Sequence, residues 1–135
     1  ARIVHLFKNN NVKFKSFLDP AEQPKVFIDK SHLTRVLNNL IKNSLQAEKE
    51  NTPIEVLVCL KINKTHCIID VQDNGKGISR DIQEKIFEPN FTTKNSGMGL
   101  GLAIVKQIIN DFKGTINYKS SSDGTIFTFT IPITN

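Results

Sequence analysis

The chain has 135 residues, of which 39% are hydrophobic and 23% are charged. This composition is close to that of an average soluble domain, so collagen-like, low-complexity and disordered chains are excluded. The apolar runs are far shorter than the ~18 residues that a membrane-spanning helix needs. The net charge is +5, but the basic residues are scattered, so charge alone does not indicate a nucleic-acid partner. We expect one domain over residues 1–135, a fragment of a longer protein because it begins with Ala1.

The pattern of hydrophobic and turn residues predicts an α+β domain. In chain order it indicates a helix end at residues 3–7, strands at 12–18 and 25–28, a helix capped by Asp29 or Ser31 that runs to about Glu50, a hairpin at 54–73, a short helix at 79–87, a loop at 88–98, a helix from about Gly99 to Gly114, and strands at 115–119 and 125–131. We therefore predict a two-layer α/β sandwich, in which a mixed, mostly antiparallel sheet is covered on one face by helices.

The hairpin contains both cysteines, Cys59 and Cys67. A two-residue loop at Asn63-Lys64 would pair Leu60 with Cys67 and place Cys59 on the opposite face of the sheet. We therefore predict two reduced cysteines and no disulfide.

A glycine-rich segment comes directly before the last predicted helix. Gly97, Gly99 and Gly101 occur within five residues, and glycine lets a backbone approach a ligand closely. The free amides and the positive dipole end of the first helical turn favour phosphate oxygens. The segment predicts a phosphate site, with a flexible turn before a core helix as the alternative.

Asp73 ends the second hairpin strand on its inward-facing side. A carboxylate at the edge of a core needs hydrogen-bond donors, and the exocyclic amine of a purine would be one. The alternative is an Asx turn, which Asp-Asn-Gly sequences form readily.

A row of polar side chains follows the core stripe of the first long helix. Asn39, Asn43, Gln46 and Glu50 lie at positions i, i+4, i+7 and i+11. The Asn43 oxygen could join phosphate oxygens and waters around Mg²⁺. The alternative is an ordinary amide at the edge of the core.

Four segments together resemble a known family. Residues 39–44, 73–78, 87–94 and 97–102 resemble the N, G1, F and G2 boxes of sensor histidine kinases, in the order and at the spacing of that family. The resemblance extends over nearly the whole chain. It implies the Bergerat ATP-binding fold of the GHKL superfamily, which gyrase, MutL and heat-shock chaperone ATPases share.

The resemblance implies ATP and Mg²⁺ as cofactors and assigns roles by position. It implies that Asp73 binds the adenine amine, that Asn43 holds Mg²⁺, and that Asn39 flanks the phosphates, the two asparagines being the catalytic pair. The other nucleotide-binding residues that it implies are Gly75, Gly77 and Ile78 at the base, Phe91, Thr93 and Lys94 in the lid, Gly97, Gly99, Leu100, Gly101 and Leu102 at the phosphates, and Thr125 near the adenine.

Two positions depart from the family pattern. Gln46 stands where many relatives have a basic residue, and none of the three histidines lies in a phosphoacceptor motif. Asn39 also stands where gyrase-like ATPases carry a glutamate that acts as general base.

The implied function is that of the catalytic domain of a cytoplasmic kinase region, which transfers the ATP γ-phosphoryl group to a histidine on a separate dimerisation domain. The implied partners are that domain and a response regulator, within a homodimer that could carry a membrane anchor, and no nucleic acid is expected. The alternatives are a GHKL clamp ATPase, an anti-sigma-type serine kinase and a non-catalytic nucleotide-binding module.

Overall fold

A computed structural model describes residues 12–18, 25–88 and 98–134, except for the side chains of residues 98–100. Its elements are β1 (Val12–Ser16), β2 (Lys25–Val26), α1 (Lys30–Leu45), β3 (Val56–Ile62), β4 (His66–Asp73), α2 (Arg80–Gln83), α3 (Met98–Asp111), β5 (Thr115–Ser121) and β6 (Gly124–Thr134). The predicted helix end at residues 3–7 and nearly all of the predicted loop at 88–98 lie outside the described residues. Within the described part of the chain, no helix is long and apolar enough to cross a membrane.

The strands form one mixed sheet in the order β1-β3-β4-β6-β2, and β5 also pairs with β6. Among the strands that the structure describes, only the β1–β3 pair is parallel, and the other pairs are antiparallel. The long strand β6 pairs with three strands, β4, β5 and β2. This arrangement confirms the predicted mixed, mostly antiparallel sheet.

The core lies between one face of the sheet and helices α1 and α3. Leu37 and Leu40 of α1 and Ile109 of α3 are fully buried, as is Phe129 of β6. Burying a side chain of this size contributes about 1.5–3 kcal/mol relative to leaving it exposed. Alternate residues of β6 point into this core because side chains on a strand alternate between faces. The two-layer α/β sandwich is thereby confirmed.

Helix α1 begins as predicted but ends earlier. The Asp29 carboxylate accepts a hydrogen bond from the amide of His32 at 2.9 Å, which makes Asp29 the N-cap. The helix ends at Leu45, so the predicted extension to Glu50 was wrong. In a longer helix, the Ala47 carbonyl would accept an amide of the next helical turn. Here it accepts the amide of Lys76 at 2.8 Å. Glu50 therefore does not continue the polar row of the helix.

The hairpin register differs from the prediction by two residues. Leu60 pairs with Ile69, and Cys67 pairs with Ile62. The cause is the side chain of Asn63, whose oxygen accepts the amides of Thr65 and His66 and so moves the turn one residue along the chain.

A slip of two residues leaves every side chain on the same face. Cys59 pairs with Asp70, so it faces away from buried Cys67. The prediction of two free cysteines on opposite faces is confirmed.

The register predicts which introduced cysteine can crosslink to Cys67. The Asn63 amide bonds to the His66 carbonyl, so the next pair, Ile62 and Cys67, is a non-hydrogen-bonded pair whose Cα atoms lie about 4.5 Å apart. Ile62→Cys should form a disulfide with Cys67 on mild oxidation, because this separation suits the bond. Peptide mapping under non-reducing conditions measures it.

Leu60→Cys is the matched control, since it would face Cys67 only in the register that the sequence predicted. In the observed register the two positions are diagonal, roughly 7–8 Å apart, and should stay unlinked. Crosslinking through residue 60 but not through residue 62 would refute the register.

Candidate functional site

A cavity of about 750 Å³ opens beside the C-terminal half of α1. Its walls are α1, residues 76–79, helix α2, and the hairpin of β5 and β6. Ile78, Ile82 and Phe127 supply apolar surface, and Lys76 and Arg80 bring positive charge to the lining. The volume is within the range of sites for small molecules and cofactors.

Asp73 lies in the wall of this cavity at the end of β4, and it is only 5% exposed. Its Oδ1 atom accepts the amide of Gly75 at 2.9 Å and the amide of Thr125 at 3.3 Å. The bond to Gly75 confirms the Asx turn that the sequence left as an alternative. Within the described part of the chain, both hydrogen bonds to Asp73 go to Oδ1, which leaves Oδ2 for a further donor.

Burial raises the pKa of Asp73, and the amides of Gly75 and Thr125 and the hydroxyl of Ser44 oppose this rise. No cation forms an ion pair with Asp73 in the described part of the chain. The fold therefore holds a carboxylate in a place that favours its neutral form.

Two buried polar atoms of α1 also border the cavity. Asn43 is 7% exposed and Ser44 is 1% exposed. Asn43 Nδ2 and Ser44 Oγ have no hydrogen-bond partner among the described residues. Ser44 Oγ lies close enough to affect the pKa of Asp73, but without the geometry of a hydrogen bond. Buried polar groups are nearly always hydrogen-bonded, so these two atoms indicate a site for water or ligand.

The segment after Asp73 packs too closely for side chains at its glycines. A Cβ atom on Gly75 would lie 2.3 Å from the carbonyl oxygen of Ala47. Gly77 has φ +78°, and a Cβ atom there would lie 2.0 Å from the carbonyl oxygen of Ser121. The sequence predicted that these glycines shape the pocket, and the contacts give the reason: the segment is held between α1 and the β5–β6 hairpin.

A hydroxyl pair connects this segment to the sheet. Ser120 Oγ accepts the amide of Ile78 at 2.7 Å and lies 2.8 Å from Thr125 Oγ1. Thr125 pairs with Asp73 across β4 and β6. The sequence predicted Thr125 near the site but did not indicate Ser120. The alternation of β5, in which Ile116, Tyr118 and Ser120 share the less exposed face, could have identified it.

Asn39 lies against the start of α3 and not in the cavity lining. A Cβ atom on Gly101 would be 2.9 Å from Asn39 Oδ1, and Asn39 Nδ2 donates to the Arg35 carbonyl at 2.9 Å. Asn39 is one helical turn before Asn43, about 6 Å along the axis. The N-terminal turn of α3 therefore lies close to the Asn43 end of the cavity.

The structure brings together several of the residues predicted for the site. The predicted residues that line the cavity are Asn43, Asp73, Gly77, Ile78 and Thr125. Gly99, Leu100 and Gly101 lie in the first turns of α3, and the Leu102 side chain is buried in the core. Phe91, Thr93, Lys94 and Gly97 lie outside the described residues. Within the described ranges, no three His, Cys, Asp or Glu side chains cluster as a metal site.

Comparison with known proteins identifies relatives of this domain. The family described as histidine kinase-, DNA gyrase B-, and HSP90-like ATPase matches residues 28–135. The C4-dicarboxylate transport sensor protein DctB of Rhizobium meliloti (strain 1021) is 40% identical over 95 residues, which are 70% of this chain and 15% of DctB. The signal transduction histidine-protein kinase AtoS of Escherichia coli (strain K12) is 39% identical over 123 residues, 90% of this chain and 20% of AtoS.

A solved structure shows the same fold. The catalytic domain of histidine kinase ThkA aligns with a TM-score of 0.77 and 31% identity, over 93% of this chain and 81% of that domain. The predicted fold class is thus confirmed. The chain spans 20% or less of the two curated relatives, but most of a solved catalytic domain.

The buried carboxylate predicts an unusual effect of Asp73→Asn on stability. A carboxyl whose pKa is raised in the folded state loses stabilising free energy as the pH rises through that pKa. The asparagine keeps an oxygen acceptor and has no charge to bury. At pH 7 the variant should therefore be as stable as the wild type or more stable, and the difference should narrow as the pH falls through the pKa of Asp73.

Urea unfolding of both proteins at neutral and at acidic pH measures the free energies. A variant less stable than the wild type at pH 7 by more than about 1 kcal/mol, the usual contribution of one hydrogen bond, would show that the carboxylate stabilises the fold.

Proposed function

Because the chain belongs to the family of histidine kinase-, DNA gyrase B-, and HSP90-like ATPases, we propose that it is the ATP-binding catalytic domain of a sensor histidine kinase. The observation that carries this proposal is the buried carboxylate of Asp73 in the wall of a cavity of about 750 Å³. A group that the fold holds at an energetic cost is a candidate for ligand recognition.

The base of ATP fits the end of the cavity at Asp73. An exocyclic amine is a donor that the carboxylate can accept, and the resemblance assigns Asp73 to that amine. Ile78, Ile82 and Phe127 supply apolar surface for a flat ring. Gly77 lines the cavity, and its packing against the Ser121 carbonyl leaves no room for a side chain there. Thr125 lies beside the carboxylate and presents a second polar group.

The phosphates fit the region where α1 meets α3. The amides of Gly99, Leu100 and Gly101 belong to the first turns of α3, where free N–H groups and the helix dipole favour anions. Asn39 borders this turn. The resemblance adds Phe91, Thr93, Lys94 and Gly97 of the lid segment, and the backbone of Leu102. We propose that these groups surround the triphosphate.

Asn43 suits a role beside Mg²⁺. It is a neutral amide that lines the cavity one turn from Asn39. Its oxygen could ligate the ion, and its buried nitrogen, which has no partner among the described residues, could donate to a phosphate oxygen or to a water bound to the ion. Mg²⁺ commonly takes few protein ligands and completes its shell with water and phosphate oxygens, which agrees with a site that offers one amide. When bound, the ion would neutralise phosphate charge.

The chemistry that remains for this chain is positioning. Phosphoryl transfer needs an aligned acceptor and neutralised charge more than covalent help from the protein. We propose that a histidine of a separate dimerisation domain attacks the γ-phosphorus and that ADP leaves. A response regulator, a homodimeric full-length protein and a cytoplasmic location belong to the same proposal.

Asn39 favours transfer over hydrolysis. An amide accepts hydrogen bonds but does not take up a proton near neutral pH, so Asn39 cannot act as general base for water. General-base catalysis raises a reaction rate by about 10²–10⁴-fold. Water should therefore compete poorly with a docked imidazole.

Asp73→Asn should weaken ATP binding by roughly ten- to a hundredfold, since it removes a hydrogen bond to a charged acceptor, about 1.5–3 kcal/mol. Calorimetry measures the affinity. Asp70→Asn is the matched control, because Asp70 lies on the same strand but on its other face, where it accepts from Thr128 at 2.7 Å. Equal affinity in all three proteins would contradict the role of Asp73.

Asn43→Ala should weaken binding of Mg-ATP much more than binding of ATP in EDTA, by about tenfold or more, because the amide acts beside the metal. Asn117→Ala, on the exposed face of β5, should change neither affinity. Equal losses with and without Mg²⁺ would indicate a purely structural amide.

The proposed reaction is tested with the chain and the separate dimerisation helices of the intact protein. γ-labelled ATP should give acid-labile label on the helices and none on the isolated chain. Phosphate release by the isolated chain at saturating Mg-ATP should stay well below ~1 s⁻¹, the lower end of typical enzyme turnover. Faster release without transfer would favour the clamp ATPase.

A further inference from the structure

The hydroxyls of Ser120 and Thr125 form a pair at the edge of the cavity. The proposed function gives a role to Thr125 but none to Ser120. Their oxygens are 2.8 Å apart, and Ser120 Oγ also accepts the amide of Ile78 at 2.7 Å. We propose that Ser120 is a positioning residue: it donates to Thr125 and thereby directs the Thr125 hydroxyl proton to a ring nitrogen beside the amine of the bound adenine. This inference rests on the proposed function.

The donors and acceptors of the pair support this direction. A hydroxyl has one proton and can accept two hydrogen bonds. Since Ser120 Oγ already accepts the Ile78 amide, donation of its proton to Thr125 satisfies Ser120 as both acceptor and donor. The proton of Thr125 then has no acceptor in the described part of the chain, and Thr125 lines the cavity.

The opposite direction would put the free proton in a different place. Thr125 would then donate to Ser120, and the free proton would sit on Ser120. Thr125 is the closer of the two to the recognition point, because its own amide donates to Asp73 Oδ1. A base whose amine meets Asp73 therefore brings its neighbouring ring nitrogen toward Thr125, and donation by Ser120 is the direction that leaves a proton for that nitrogen.

The result is a short relay from the Ile78 amide through Ser120 and Thr125 to the ligand. With Asp73 it presents one acceptor and one donor side by side. That pair matches an amine next to a ring nitrogen, as adenine has at N1 and at N7. Guanine has a carbonyl oxygen at the position of the amine, and this oxygen would face the carboxylate unfavourably. By orienting the Thr125 proton, Ser120 contributes to the recognition of adenine without touching the base.

Deaza analogues of ATP test the relay directly. In 1-deaza-ATP and 7-deaza-ATP a C–H group replaces N1 or N7, so each analogue lacks one acceptor and keeps the amine. Calorimetry with the full chain should show that one of the two binds the wild type roughly three- to tenfold more weakly than ATP does. In Ser120→Ala, ATP should bind more weakly, and its advantage over that analogue should fall to less than twofold. Ser120→Thr, which keeps a hydroxyl, should restore it.

A merely structural role would weaken ATP and the analogue equally and leave their ratio unchanged. The matched control is Thr115→Val, because Thr115 and Thr130 form a second hydroxyl pair at 2.8 Å at the other end of the same hairpin. It should leave the ratio at its wild-type value.

The relay would be refuted if both analogues bind the wild type as well as ATP does, or if Ser120→Ala keeps the full ratio. Absence of any ATP binding by the wild type would instead refute the proposed function.

Discussion

The structure depends on how the buried carboxylate of Asp73 is held at the end of β4. Its Oδ1 atom takes one amide from the chain that follows, at Gly75, and one from the neighbouring strand, at Thr125. These two bonds join the glycine segment to the sheet at one point. They only partly offset the cost of burying the charge, since the pKa of the group stays raised. The fold thus keeps an acceptor, Asp73 Oδ2, for which the described residues supply no hydrogen-bond donor.

The close packing around Asp73 explains why distant elements end where they do. Gly75 lies against the carbonyl of Ala47, and the Lys76 amide bonds to that same carbonyl. Helix α1 ends at Leu45, and the Ala47 carbonyl just beyond it contacts this segment and not a further helical turn. On the other side, Gly77 fits against the carbonyl of Ser121. One short segment therefore contacts both the end of a helix and the turn of a hairpin.

Sequence patterns predicted the faces of the elements better than their pairing. The alternation in β4 placed Asp73 on the inward face of the sheet. The predicted hairpin register was wrong by two residues, but a slip of two residues leaves every side chain on its face. The predicted faces of Asp73 and Cys59 were therefore right. The register depended on Asn63, whose side-chain oxygen accepts the amides of Thr65 and His66 and so fixes the position of the turn. Ser120 was missed because its partner Ile78 is far away along the chain; the alternation of β5 indicates the face on which Ser120 lies but not this bond. Asp73 was predicted for the site because it begins a motif that is continuous in the sequence, residues 73–78.

The two ends of the site are built from different chemistry. At the Asp73 end, the polar groups are a buried carboxylate and the hydroxyl of Thr125. Because they are shielded from water, a ligand that leaves either one without a hydrogen bond binds with a loss of free energy. At the α1–α3 junction the described groups are neutral amides, Asn39 and Asn43, together with the backbone of a helix N-terminus. Neutral donors can stabilise phosphate charge, but they cannot take a proton from water. Under the proposed function, such a site recognises the base through buried groups and, with no general base among these described groups, holds ATP until an acceptor from another domain arrives.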